Sequence, residues 1–167
     1  MSRPVDRDSN IIYTPETTNG PFGASLTNCP PSEMNAAVYQ LNQWVVNGTA
    51  PPIGALMQTT GTSPVVFAYD ANGNVLGGVR SPQVDAPIAA LGGVGNSGSG
   101  ALGTFCRLFG TTVPFTSSQL AALYKNHGAF VSQWDQATQS GVNGGFLLQR
   151  DAKELKRAAA RSQIGRR

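Results

Sequence analysis

The sequence predicts a mixed α+β, loop-rich chain of several short helices and one β-hairpin. Three observations carry that expectation. Twenty glycines and eleven prolines in 167 residues interrupt regular structure repeatedly. Apolar residues recur at helical spacing in only a few short windows. One stretch, Val65 to Leu91, joins a β-branched and aromatic run to a tight-turn signal.

Composition sets the outer bounds. An apolar share of 40% with only 13% charged residues excludes disorder driven by net charge, and the length suits one ordinary domain. No apolar run approaches the roughly 20 residues that span a bilayer, so a membrane partner is not expected. The opening MSRPVDRDSN has no apolar core and is not a signal peptide. A cytoplasmic location follows if Met1 is the natural start. The formal charge of +3 is unevenly placed: Arg150 to Arg167 hold seven basic residues and two acids, while residues 1–149 hold five and seven. Basic character thus belongs to the tail.

Taken in order, residues 1–31 read as an irregular N-terminal segment, because Pro4, Pro15, Pro21, Pro30 and Pro31 leave no helical window. A helix is expected from Ser32 to Asn47. Met34, Val38, Leu41 and Val45 form its inward stripe, Ala37 and Trp44 widen it, Ser32 caps it and Gly48 ends it. Trp44 is read as a packed core residue. Asn47-Gly48-Thr49 is formally a glycosylation sequon, but it falls at the expected helix end. Residues 50–63 connect, with Ile53, Leu56 and Met57 as anchors.

The hairpin follows. Val65 to Tyr69 suits a strand, Asp70 to Asn74 holds an Asn-Gly reversal, and Val75 to Arg80 makes a second strand weakened by Gly77 and Gly78. Pro82 and Pro87 are expected to force an extended, non-helical ribbon across Val84, Asp85 and Ala86. Residues 92–104 are nearly free of side chains. Phe105 to Phe109 and Val113 to Phe115 are apolar anchors. A short helix from Thr116 to Tyr124 is capped by Thr116 or Ser117, with Leu120, Leu123 and Tyr124 inward. Asn126-His127-Gly128 breaks it, and Ala129 to Ser140 is helical, with Phe130, Val131, Trp134 and Ala137 on one face. Gly141 to Gly145 turns the chain into a basic terminal helix from Arg150 to Gln163, capped by Asp151 and largely solvated.

Few motifs promise chemistry. Gly93 to Gly98 match GxGxxG, but the next acid is Asp135 and no helix former follows, so the dinucleotide reading fails. No GxSxG elbow exists, and there is no P-loop and no HExxH. His127 is the single histidine, so a triad built wholly from this chain would have to use it. Its plainer role is a helix-end residue binding a carbonyl or water. Asp70 suits an Asx turn, and Asp85 an ion pair with Arg80. Cys29 and Cys106 are either two buried thiols or one disulfide closing a long loop; neither CxxC nor a neighbouring histidine supports a metal site. No cofactor is expected. The basic tail lacks aromatic interleaving, so nucleic acid is not expected as a partner.

Several ordered segments nevertheless carry a likeness. DANGNVLGGVRSPQVDAPIA, then Phe105 to Phe115, Leu123 to Phe130, Gly145 to Leu148 with Asp151-Ala152, and upstream Leu41 to Pro52, together resemble the C-terminal region of bacterial alpha/beta-hydrolase domain proteins. The likeness covers about residues 28–163. It implies the C-terminal part of an α/β-hydrolase fold: an irregular lead-in at 1–31, a partial hydrolase region at 32–149, and a basic helix and tail at 150–167. The family resembles serine hydrolases whose nucleophile, acid and histidine precede the matching region. The resemblance therefore implies a portion of an ester or amide hydrolase with no catalytic residue of its own, His127 remaining the sole candidate. Its partner would be the missing N-terminal hydrolase portion or a second copy. The alternative is a stand-alone binding or oligomeric interaction module.

Overall fold

A computed structural model describes residues 31–93 and 111–166. The expectations for residues 1–30, for Cys29 and Cys106, for Phe105 to Phe109 and for the GxGxxG stretch beyond Gly93 lie outside the described residues. In chain order the elements are α1 (Pro31–Asn47), β1 (Thr59–Thr60), β2 (Val66–Phe67), α2 (Pro82–Asp85), β3 (Ala89–Gly92), β4 (Thr111–Pro114), α3 (Ser117–Leu123), α4 (His127–Asn143) and α5 (Gln149–Arg161). The strands make two antiparallel pairs, β1 with β2 and β3 with β4.

The core forms where α4 packs against α5 and α2. Phe130, Trp134 and Ala137 follow the helical period of α4 and are buried, as are Leu155 and Ala159 of α5. Tyr124, Phe130 and Trp134 stack in series, with ring centroids 5.1 and 5.6 Å apart. Ala86, Ile88 and Leu147 close the cluster. Full burial of side chains this size contributes roughly 1.5–3 kcal/mol each before packing losses.

Local chemistry explains the helix starts. Thr116 and Gln119 form a reciprocal capping box at α3. The Asn126 side chain accepts from Ala129 N at 2.9 Å and starts α4. His127 is thus the first residue of α4, not part of a break. Helix α4 also runs through Gly141, where a turn was expected, and Leu147 folds back onto that glycine. A Cβ at Gly141 would lie 2.8 Å from Leu147 Cδ1. Gly48, at φ +70°, ends α1 as the sequence predicts, its N–H bonding to Trp44 O at 3.0 Å.

The central stretch departs from expectation in three ways. First, Val66–Phe67 pairs with Thr59–Thr60, so the segment read as a connection supplies the partner strand. The Asn-Gly reversal does form, with Asp70 N bonding to Asn74 O at 2.8 Å and Leu76 N to Ala68 O at 2.9 Å. Gln58 enters beside it. Ala68 N donates to Gln58 O, Gln58 N to Leu76 O, and Leu76 N to Ala68 O, a closed ring of three backbone bonds. Second, Gly77 and Gly78 both take positive φ, which ends any strand after Leu76. Third, Pro82 opens the single helical turn α2 instead of an extended ribbon. Proline's fixed φ suits the first helical position, and Ser81 O receives Val84 N and Asp85 N at 3.0 Å. Asn74 then ties the turn to β3: its side chain donates to Ala89 O at 3.3 Å and accepts from Leu91 N at 2.8 Å.

Candidate functional site

Helix α1 is amphipathic and packed inside out. At about 100° per residue, Met34, Val38, Leu41 and Val45 share one face, while Ser32, Ala36 and Gln43 lie opposite. The protein body takes the small and polar face: Ser32 and Ala36 are 5% and 2% exposed. Asn35 Nδ2 donates to Asp151 Oδ2 on α5 at 3.2 Å, and Gln40 Nε2 donates to Gly145 O at 3.3 Å. The apolar stripe points away, with Met34 66%, Val38 60%, Leu41 56% and Val45 77% exposed. Trp44, expected in the core, is 53% exposed. Ile53, Leu56 and Met57, expected as anchors, are exposed as well. Periodicity located the stripe correctly but could not say which side had a partner.

A groove of about 680 Å³ runs along the flank of α1, within the size range of small-molecule clefts. Met34, Leu41 and Trp44 form one wall; Pro52, Val79 and Phe146 form the other. The second wall depends on close approach at Gly145, whose φ is +78° and whose missing Cβ would sit 3.0 Å from Pro52 Cγ. Among the described residues, Glu33, Gln40 and Ser81 are the polar side chains on its lining. Glu33 is half-buried and accepts a bond from Ser32 Oγ at 2.7 Å. Among the described residues no cation lies within ion-pair distance of its carboxylate. Its place in the first turn of α1 favours negative charge.

His127 does not line that groove. Its Nδ1 lies 2.8 Å from Ile164 O, and its Nε2 lies 3.1 Å from Ala160 O and 3.4 Å from Arg166 Nη2. Arg166 Nη2 also donates to Ala160 O at 3.0 Å. Both side chains thus gather around a carbonyl in the last turn of α5, where the Arg166 guanidinium meets a helix-end oxygen, and hold residues 164–166 beside the start of α4. No hydroxyl, thiol or carboxylate among the described residues bonds to the ring.

Asp70, Asp85 and Asp151 serve structure. Asp70 Oδ1 accepts from Asn72 N at 2.8 Å and Asn74 N at 2.9 Å, an Asx turn. Asp85 Oδ1 lies 2.7 Å from Arg80 Nε, and Arg80 Nη1 donates to Val75 O at 3.0 Å. Asp151, expected as a cap, instead lies inside the first turn of α5 and meets Asn35; Leu148 occupies the cap position with no side-chain bond. Helix α5 is not simply solvated, since Asp151, Ala152, Leu155 and Ala159 are buried. Among the described residues no cluster of His, Cys, Asp or Glu could hold a metal ion, and no helix is long and apolar enough to cross a membrane.

Sequence reasoning missed the groove. Its second wall comes from Pro52, Val79 and Phe146, distant in sequence, and no local pattern connects them. Glu33 carried one available signal, a lone charge at the head of an otherwise uncharged 17-residue helix.

This mixed architecture of five helices and two small antiparallel sheets, among the described residues, is consistent with an alpha/beta hydrolase-like domain. Residues 23–157 match the family model described as alpha/beta hydrolase domain, and the chain belongs to that family. No curated protein and no solved structure gives a match.

Proposed function

We propose that this chain is the C-terminal portion of an ester- or amide-hydrolysing alpha/beta hydrolase and is not catalytic by itself. The observation that carries this reading is the outward stripe Met34, Val38, Leu41 and Val45. An apolar face this long on a helix anchored by its polar side is built to be covered. The N-terminal hydrolase portion is the partner that family membership favours. His127 supports the same reading, because its ring nitrogens face backbone carbonyls and not a nucleophile. The test is hydrolysis of p-nitrophenyl acetate by the isolated chain. The expected rate is that of buffer, unchanged by His127→Ala; saturable turnover abolished by that substitution would overturn the proposal.

A second reading, an oligomeric interaction module, has one observation in its favour. The stripe residues are spaced four, three and four apart, the seam spacing of paired helices. Light scattering over a dilution series separates the two: a concentration-dependent dimer lost in Leu41→Lys supports the module.

A further inference from the structure

We propose that the groove beside α1 binds an organic cation with an apolar or aromatic body. The inference rests on the groove's own chemistry and not on the hydrolase reading. Its walls offer the Trp44 indole, the Phe146 ring and the Met34 and Leu41 side chains, which suit an apolar body. Among the described residues Glu33 is the one charged residue on the lining, and none of their cations lies within ion-pair reach of it. The two other polar side chains do not change that balance. Gln40 is engaged with Gly145 O, and Ser81 is neutral, its side chain making no cap bond to α2. An anion would meet Glu33 unfavourably, and a neutral ligand would gain nothing from its charge. A quaternary or protonated amine answers both parts of the site: Glu33, at the head of α1, attracts the charge, while the apolar or aromatic body lies along the groove toward Trp44, about 16 Å further along the helix axis.

The two tryptophans make the test clean, since Trp134 is fully buried and Trp44 lines the groove. Their indole N–H signals are followed by nitrogen-edited NMR, with Trp44→Phe fixing the assignment. The probes are para-hydroxyphenyltrimethylammonium and its neutral isostere para-tert-butylphenol. The cation is expected to move the Trp44 signal saturably in the millimolar range, leave Trp134 in place, and bind about threefold or more tighter than the isostere. Glu33→Gln should erase that preference. Equal affinity for the two probes, or no saturable shift, overturns the proposal. The isostere comparison on the unaltered chain decides the matter even if Glu33→Gln perturbs the helix start.

Discussion

The Tyr124 hydroxyl donates to the Pro87 carbonyl oxygen across 2.8 Å, inside the core. That bond joins the end of α3 to the chain entering β3, two elements separated by the glycine-rich stretch. Burial pushes the Tyr124 phenol well above its ordinary value of 10.0.

Removing the hydroxyl leaves the Pro87 carbonyl without this donor. Tyr124→Phe should therefore lower stability by about 1–3 kcal/mol in urea unfolding at neutral pH. The pH dependence has a definite sign. The phenol's value is higher in the folded than in the unfolded chain, so its contribution is fully present below the unfolded value of about 10 and is lost as pH rises beyond it. Alkaline loss of stability should be shallower in Tyr124→Phe; an identical slope would show that Tyr124 is not buried as described.

Gly77 follows Leu76, one corner of the backbone ring with Gln58 and Ala68, and bridges to Met57. Its φ is +76°, and a Cβ there would collide with the Leu56 carbonyl oxygen, a backbone atom with little room to yield. Gly77→Ala should cost about 2 kcal/mol or more. Gly93→Ala, which meets open space, should stay within about 0.5 kcal/mol. Denaturant midpoints for the pair separate conformational need from mere glycine loss.

Helix positions were legible because they rest on local chemistry. Thr116 and Gly48 act at helix ends within a few residues, and Phe130 and Trp134 repeat at a single period. The Arg80–Asp85 pair and the Asp70 turn were readable for the same reason. What depended on distant partners was not. Val66 could not announce pairing with Thr60 in place of the residues after the turn, and Pro82 reads as a breaker unless its position at the head of α2 is known. The α1 stripe is the sharpest case: its spacing defined a face, but burial of the opposite face follows from Asn35 meeting Asp151 and Gln40 meeting Gly145. Those contacts span more than a hundred residues and leave no local trace.

The outward face of α1 is the centre of this account, and Trp44 reports on it directly. Acrylamide quenching of the chain at high dilution should resolve two populations, a quenchable Trp44 and a protected Trp134, which are 53% and 0% exposed. Trp44→Phe should remove the quenchable population alone. If both tryptophans are protected in the dilute chain, the stripe is covered from within, and the face proposed to receive the rest of a hydrolase does not exist.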